Sequence, residues 1–438
     1  MKLIFLALFF VFTLSSCSNN EEISSPEDKE IIDISKPNIL LVIADDMGLD
    51  ATPNYDVGSI KPNMPNLQSM ISEGIQFTNT WSYSVCTPTR ASILTGKYGF
   101  RTQVTKVDDE LSTTETSLQK YLDINNSGYN HAVIGKWHLS KDTNHPNNMG
   151  VGYYAGVIGG GGIKSYSDWS LTQNGQTSNS NDYSTTKFTD LAIDWVSNQS
   201  QPWFLWLAYN APHAPFHLPP NDLHSQGNLP TDESSISSNP TPYYMAMIEA
   251  MDTEMGRLLN SLSEEERNNT VIIFIGDNGT PNQVVQSYLS KRAKGSIYQG
   301  GVNVPMIISG KNVDRKGETE DALINTTDLF STIAEIAGIN IPEVNDSKSF
   351  NSMLTTSNQN IRNFVYAEVE HNNGTLDYAI RDNVYKYIKF SDDSEALYNL
   401  IDSPLETVNL LNTAQLPLSA EASQAKENLE AEVLKIKQ

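Results

Sequence analysis

Two uninterrupted apolar runs constrain the fold of this chain more than any other feature. They are Asn38–Ala44 and Thr270–Gly276, and both are rich in branched aliphatic residues. Runs that are apolar throughout, rather than at alternate positions, are typical of parallel strands covered on both faces of a sheet. A third run of this kind occupies Pro202–Asn210. The sequence therefore predicts an α/β fold with a central, mostly parallel sheet flanked by helices.

Polar side chains follow the first two runs directly. Asp45 and Asp46 come after the first, and Asp277 and Asn278 come after the second. Open α/β sheets place their functional sites at the carboxyl ends of strands. Three carboxylates and one amide are hard oxygen donors, which suit Ca²⁺ better than Zn²⁺. We expect a cation site here, although two unrelated polar turns remain the alternative.

A thiol, a proline and an arginine are spaced two residues apart at Cys86, Pro88 and Arg90, and a short apolar run then ends at Gly96. This pattern predicts a loop that leads into a helix, with Cys86 at the helix N-terminus and Arg90 one turn further on the same face. Free backbone N–H groups and the helix dipole favour an anion there. A cysteine at such a place is, by itself, more often a small packed hydrophobe than a reactive group.

The run CTPTRASILTGKYG, which starts at Cys86, resembles the motif of type I sulfatases of the alkaline-phosphatase-like superfamily. In that family a maturase converts the cysteine of C-x-(Pro or Ala)-x-Arg to formylglycine. Thr89 stands where the family mostly has serine. The resemblance implies a large alkaline-phosphatase-like domain and a Ca²⁺ site. Its expected ligands are Asp45, Asp46, Asp277, Asn278 and an oxygen of the modified Cys86.

Three further segments resemble the family in the expected order. GKWHL contains Lys136 and His138, a Pro-His-x-Pro segment contains His213, and a K-G-x-x-x-x-G-G segment begins at Lys294. The first segment lies in His131–Leu139, where alternation predicts a strand with Lys136 and His138 on one face.

The resemblance also implies roles for these side chains. Arg90, Lys136 and Lys294 would bind the sulfate oxygens. His213, with or without Lys294, would protonate the leaving alcohol after one hydroxyl of the hydrated aldehyde attacks sulfur. His138 would take the proton of the second hydroxyl, which expels sulfate and restores the aldehyde. His217 is either a substrate-side residue or a loop histidine.

The implied reaction is hydrolysis of a sulfate ester, most simply on a sulfated polysaccharide or oligosaccharide. Two alternatives stay open at this point. A phosphodiester or phosphonate ester hydrolase of the same fold would share the metal site and the formylglycine. A non-catalytic, surface glycan-binding lipoprotein would carry an unconverted Cys86.

The net charge of −23 argues against nucleic acid or an anionic lipid surface as a partner. An anionic substrate would instead have to meet a local group of cations inside an acidic envelope.

The N-terminal residues have the pattern of an export signal. Lys2 precedes an apolar run, Leu3–Leu14, that is too short to span a membrane. Leu14-Ser15-Ser16-Cys17 resembles a lipobox, which implies a lipid anchor on Cys17 and an outer-membrane, cell-surface or periplasmic location. An ordinary cleaved signal is the alternative. With Cys17 acylated and Cys86 converted, no disulfide is expected.

We expect four regions: a signal peptide at 1–17, a tether at 18–35, a catalytic domain at 36–340 and a C-terminal subdomain at 341–438. Residues 341–360 resemble a linker in composition. Short alternating runs beyond them predict a small antiparallel sheet, and a closing helix is expected from Ser419 to Lys435.

Residues 150–186 are rich in Gly, Ser and Asn and are expected to form a long loop. Its glycine run lacks the lysine and the preceding strand of a phosphate-binding loop. Tyr166, Trp169 and Tyr183 in this loop suggest stacking on sugar rings.

Overall fold

The strands of the described residues, 36–160 and 162–438, form one large and two small sheets in the computed structural model. The large sheet has eleven strands. They are β1 (Asn38–Ala44), β2 (Gly74–Trp81), β3 (Asn130–Lys136), β4 (Tyr153–Val157), β5 (Trp169–Gln173), β6 (Gln176–Ser180), β7 (Trp203–Ala208), β8 (Thr270–Gly276), β9 (Asn303–Gly310), β10 (Glu318–Glu320) and β11 (Ile324–Asn325). The small sheets contain β12 (Glu343–Val344), β13 (Ser347–Lys348), β14 (Val365–Glu370), β15 (Leu376–Arg381), β16 (Tyr385–Lys389) and β17 (Glu395–Asn399).

Helices connect these strands and cover both faces of the large sheet. In chain order they are α1 (Pro65–Ser72), α2 (Cys86–Thr95), α3 (Gly99–Thr102), α4 (Leu118–Ile124), α5 (His145–Asn148), α6 (Ser184–Ser197), α7 (Glu233–Ser238), α8 (Thr241–Ser261), α9 (Glu264–Asn268), α10 (Gln299–Val302), α11 (Asp328–Ile336) and α12 (Ala420–Ile436). Short 3₁₀ turns lie at Leu49–Ala51, Asn351–Leu354 and Thr413–Gln415. Within the described residues, none of these helices combines the length and apolarity that a membrane span requires.

The large sheet has the strand order β10-β2-β9-β8-β1-β7-β3-β4-β5-β6, and β11 also pairs with β2. The five neighbours from β8 to β4 are parallel, whereas β9 runs antiparallel to β8 and β2. The carboxyl ends of β8, β1, β7 and β3 therefore meet at one edge. The predicted α/β class with a mostly parallel sheet is confirmed.

The apolar runs form strands because both of their faces are covered. Ile39, Leu41 and Ile43 of β1 pack in one core with Leu94 of α2 and Leu329 of α11. Leu40 and Val42 point to the other face, where α1, α6 and α8 supply Leu67, Phe188 and Met251. The period of two along a strand divides one run between two cores.

The prediction of a long loop at residues 150–186 is wrong. Strands β4, β5 and β6 lie in it and extend the large sheet. Asn174 and Gly175 join β5 to β6 with positive φ values of 42° and 85°, as a two-residue hairpin turn requires. Trp169 is buried, packs on Phe188 and donates to the Asp182 carbonyl, so it offers no face to a sugar.

Two other expectations need correction. The linker expected at residues 341–360 contains the β12–β13 hairpin and buries Phe350 and Met353 in the core beside α11. The mostly polar composition of this segment predicts a linker, although Phe350 and Met353 are buried in the core. Strand β3 ends at Lys136, and His138 follows with φ of 60°, so alternation does not place these two side chains.

The C-terminal subdomain, β14–β17 with α12, has the antiparallel sheet and closing helix that the alternating runs predict. Leu429 and Val433 of α12 pack on Tyr366 and Tyr387 of that sheet. The boundaries of the four predicted regions stay predictions. The signal peptide, Cys17 and the tether lie outside the described residues.

Candidate active site

The carboxylates predicted to meet lie side by side. Ala44 of β1 is opposite Gly276 of β8 in a parallel pair, so the residues that follow each strand are neighbours. Asp277 Oδ1 accepts a hydrogen bond from the Asp46 amide at 3.0 Å. Asp46 itself has φ of 70°, which turns the chain sharply after the strand.

Cys86 begins α2, as the motif predicts, and its thiol faces this cluster. Its Sγ lies 3.2 Å from Asp45 Oδ1 and 3.9 Å from Asp46 Oδ1. The potential ligand atoms of Asp45, Asp46, Cys86 and Asp277 all lie within 4.8 Å of one another. Burial, reinforced by Asp277 and Asp45, raises the pKa of the Cys86 thiol. The unmodified thiol is therefore protonated and a poor nucleophile.

The donor set fits a hard cation. The Asn278 amide nitrogen donates to Asp46 Oδ1 at 2.8 Å and to the Gly279 carbonyl at 3.1 Å, which leaves the buried Asn278 Oδ1 without a hydrogen-bond partner. A buried unpaired oxygen is costly unless a cation or donor satisfies it. Burial, with the adjacent Asp45, also raises the pKa of Asp277. Crowded carboxylates and an unpaired amide oxygen suit Ca²⁺, which takes oxygen ligands at about 2.4 Å.

Three cationic side chains enclose the carboxylates. Arg90 donates to Asp277 Oδ2 at 2.8 Å and also to the Lys136 carbonyl at 2.8 Å. The Lys136 ammonium lies 2.5 Å from Asp45 Oδ2, and the Lys294 ammonium lies 2.6 Å from Asp46 Oδ2. Each of the three predicted sulfate-binding cations thus lies in the site.

These ion pairs set the protonation states. Burial by itself would raise the pKa of Asp45, but Lys136, followed by His213, Arg90 and Lys294, holds it well below its usual range. Burial opposes the charge on Lys294, yet Asp46 raises the pKa of its ammonium. Both groups are therefore charged at neutral pH.

His138 has a partner that the sequence did not indicate. Its Nε2 lies 2.9 Å from Asp108 Oδ1, and its buried Nδ1 has no hydrogen-bond partner. The Asp108 amide in turn donates to Thr87 Oγ1 at 3.2 Å, beside Cys86. Burial and Lys136 lower the pKa of His138, so the imidazole is neutral and can accept a proton. Asp108 lies in an acidic run, Asp108–Glu110, which resembles ordinary surface sequence.

His213 reaches the cluster from the loop after β7. Its Nε2 lies 3.7 Å from Asp46 Oδ2, and its Nδ1 lies 2.6 Å from the Ala214 carbonyl. That carbonyl can only accept, so Nδ1 carries a proton. Burial lowers the pKa of His213, although Asp46 and Asp45 oppose this.

The end of the glycine run packs directly on the His213 ring. A Cβ added to Gly162 would lie 2.8 Å from His213 Nδ1. Its φ of 152° also lies where side chains are disfavoured.

His217 connects to the site indirectly. Its ring lies 4.2 Å from that of Tyr166, and its Nε2 lies 3.1 Å from the Tyr183 hydroxyl. The buried Tyr166 donates to the carbonyls of Asn210 and His213. Tyr166 therefore supports the His213 loop and is not a sugar platform. Burial lowers the pKa of His217 to about 4, so it is neutral at neutral pH, and its substrate role remains a prediction.

Comparison with protein families decides which family the chain belongs to. The family profile described as "Sulfatase" matches residues 37–339, well over half of the chain. The chain belongs to the sulfatase family. A second profile, "N-sulphoglucosamine sulphohydrolase, C-terminal", matches residues 288–435, which include the C-terminal subdomain.

Sequence relatives are sulfatases of bacteria and mammals. The "Uncharacterized sulfatase YdeN" of Escherichia coli (strain K12) is 29% identical over 367 residues, which are 70% of this chain and 64% of that protein. The chain thus spans slightly less than two thirds of that relative. The "Ulvan-active sulfatase" of Formosa agariphila is 25% identical over 437 residues, which are 93% of this chain and 82% of that protein.

A solved structure confirms the fold class. Ps i-CgsB in complex with k-i-k-neocarrahexaose matches with a TM-score of 0.76 and 25% identity. The match covers 90% of this chain and 92% of the other. The alkaline-phosphatase-like sulfatase fold expected from the motifs is therefore the fold of this chain.

Proposed function

We propose that this protein hydrolyses sulfate esters on a sulfated polysaccharide or oligosaccharide, using Ca²⁺ and a formylglycine formed from Cys86. The observation that carries the proposal is the convergence of Cys86 Sγ, the carboxylates and the three cations at one edge of the sheet. Binding alone needs no such convergence of nucleophile, base and cations.

Asp45, Asp46, Asp277 and Asn278 would hold the Ca²⁺. The bound ion would supply positive charge beside the sulfate oxygens and beside the hydroxyls of residue 86. The Cys86 Sγ position stands for an oxygen of the hydrated formylglycine. Two geminal hydroxyls supply both the attack on sulfur and the later release of sulfate.

The protein's own side chains complete the chemistry. Arg90, Lys136 and Lys294 neutralise the sulfate oxygens as charge develops on them. His138 is the base for the second hydroxyl, because it is neutral, buried and oriented by Asp108. His213 presents Nε2 to the site, 3.7 Å from Asp46 Oδ2, and would protonate the leaving oxygen from that nitrogen once it has taken up a proton.

Charge balance supports an anionic substrate. Three carboxylates face three fixed cations, so the site without metal is close to neutral. A bound Ca²⁺ would make it positive inside a chain of net charge −23. The local positive charge would direct a sulfate group to this point.

A carbohydrate substrate is supported by neighbours named for polysaccharides, the ulvan-active relative and the neocarrahexaose complex. The pattern of an export signal and the lipobox-like segment at Cys17 support a location where extracellular polysaccharide is available. We include a lipid anchor on Cys17, an outer-membrane, cell-surface or periplasmic location and a formylglycine-generating maturase in the proposal.

Mass spectrometry of the peptide that contains Cys86 tests the proposal first, on protein from a maturase-bearing host. We expect a mass lowered by replacement of the thiol with an aldehyde, together with turnover of sulfated oligosaccharides. A Cys86→Ala variant should lose this turnover. An unmodified thiol in the native protein would contradict the proposal and favour the binding-protein alternative. Faster turnover of phosphate diesters than of sulfate esters would favour the phosphodiesterase alternative.

A further inference from the structure

A buried ion pair lies in the C-terminal part of the chain, outside the site described above. It joins Lys386 of β16 to Glu406, which lies in the loop after β17. Their side chains are 0% and 1% exposed, and Lys386 Nζ lies 2.6 Å from Glu406 Oε1. The Lys386 ammonium also lies 4.9 Å from the centre of the Trp81 ring.

Both members of the pair bind the backbone of residues 291–299, the segment that carries Lys294. Lys386 Nζ donates to the Ile297 carbonyl at 2.8 Å. Glu406 Oε2 accepts from the Gln299 amide at 2.6 Å. The Arg292 guanidinium donates to the Glu406 carbonyl. The C-terminal subdomain therefore holds this segment on both sides of Lys294.

The same segment is bonded to the active site on its other side. The Lys294 amide donates to the Thr280 carbonyl at 3.1 Å, and the Gly295 amide donates to the Ser84 carbonyl at 2.8 Å. The Lys294 ammonium then reaches Asp46 at 2.6 Å. Lys294 thus lies between attachments to the subdomain and attachments to Thr280, which follows the Asp277-Asn278 pair, and to Ser84, two residues before Cys86.

Stability alone does not explain the pair. Taking two charges out of water costs about as much as their attraction returns, so an apolar pair of similar size is often equally stable. A buried charged pair does fix geometry, because each member must keep all of its partners. Glu406 also has φ of 56°, an uncommon conformation for a residue other than glycine.

We infer that Lys386 and Glu406 are positioning residues that hold the Lys294 ammonium where it can bind the sulfate group. They act through the backbone of residues 291–299 and do not touch the reacting atoms. The inference rests on the proposed function, in which Lys294 binds sulfate.

A double-mutant cycle tests the inference. Glu406→Gln and Lys386→Met are each made in the wild-type protein and in a Lys294→Ala background, and kcat/KM is measured with one sulfate ester. In the wild-type background we expect each to lower kcat/KM about tenfold or more, because small displacements of a binding group are costly. In the Lys294→Ala background the loss should be less than about twofold, because the group being positioned is gone.

Glu320→Gln is the matched control, since Glu320 forms a similarly buried pair with Arg315 at 2.6 Å and otherwise accepts from the Ala322 amide. We expect it to change thermal stability and leave kcat/KM unchanged. Equal losses in both Lys294 backgrounds would show a merely structural role for the Lys386–Glu406 pair and overturn the inference.

A crystal structure of the Glu406→Gln variant gives a readout that needs no activity. We expect the Lys294 ammonium to lie beyond hydrogen-bonding distance of Asp46. An unchanged Lys294 position would overturn the inference. If the wild-type protein hydrolyses no sulfate ester, the proposed function fails, whereas this structural measurement still tests the positioning.

Discussion

At the scale of single residues, the site depends on side chains that hold other side chains. Asp108 contacts His138, and the Thr89 hydroxyl bonds the backbone just before Cys86. Neither contact involves the atoms that would react. Each fixes an orientation that a mobile side chain or loop would otherwise lose, and removal of either partner should be measurable.

Asp108→Asn should lower kcat about tenfold or more. An amide oxygen is a weaker acceptor for the His138 N–H than a carboxylate is, so the substitution lowers the basicity of the His138 imidazole. Steady-state kinetics with a sulfate ester measure this. Asp109→Asn is the control, since Asp109 lies on the same loop but accepts from the Thr105 and Lys106 amides. Equal kcat values for Asp108→Asn and the wild-type protein would remove Asp108 from the mechanism.

Thr89→Val should destabilise the protein by about 1–3 kcal/mol, because it leaves a buried backbone donor unpaired. The Thr89 hydroxyl accepts from the Tyr83 amide at 3.1 Å and lies 3.2 Å from the Val85 carbonyl. Urea unfolding measures the loss. Thr89→Ser, the residue more usual in the family, keeps the hydroxyl and should unfold close to the wild-type midpoint. If the serine variant were as unstable as the valine variant, the methyl group and not the hydroxyl would matter.

At the scale of elements, the position of each loop follows from the strand that precedes it. Strands β8, β1, β7 and β3 are parallel neighbours, so the loops after them converge on one edge. Gly162, in the segment after β4, lies against the same edge, because its missing side chain leaves room for the His213 ring.

Gly162→Ala should lower kcat/KM by about ten- to a hundredfold, because the new methyl group would displace the His213 ring. Gly160→Ala is the matched control. Gly160 also has a positive φ, of 80°, but a Cβ there would meet nothing within 4 Å. The control variant should keep kcat/KM within about twofold, since the backbone strain involves no contact with His213. Similar losses in both variants would assign the effect to the backbone of the loop.

At the scale of the whole molecule, an acidic chain surrounds a site that needs a cation. Asp45, Asp46 and Asp277 are all buried around one point, and Asn278 Oδ1 is unpaired there. Cys86 is the free cysteine of the described residues, so no disulfide involving it supports the fold. Metal binding is therefore expected to contribute to stability as well as to activity.

Calcium should raise the melting temperature of chelator-treated protein, because an ion that binds only the folded state stabilises it by about 2.7 kcal/mol at a hundredfold excess over Kd. Differential scanning calorimetry with Ca²⁺ and with Mg²⁺ measures the effect. We expect a larger shift with Ca²⁺, because Mg²⁺ gives up its water ligands reluctantly. The Asp277→Asn variant should show a reduced shift. No shift with either ion would contradict the assigned metal site.

Local pattern determined the elements that are buried on both faces. Strands β1 and β8 begin and end where their apolar runs do, and α2 starts at Cys86, because periodicity and helix-start signals are written in adjacent residues. The motif residues that carry the family resemblance were readable for the same reason, and the structure brings Cys86, Arg90, Lys136, His213 and Lys294 to the carboxylates. The Asn174-Gly175 hairpin was also readable, but the Gly-rich composition around it obscured the signal.

Tertiary structure decided what depends on contacts distant in sequence. Asp108 meets His138 thirty residues away, and Glu406 reaches the Gln299 amide 107 residues away. Phe350 anchors a segment whose composition predicts a linker. An isolated carboxylate or phenylalanine has the same appearance in sequence whether it faces solvent or fills a buried position. Only the packing of the whole chain sets its partners, and with them its burial and charge state.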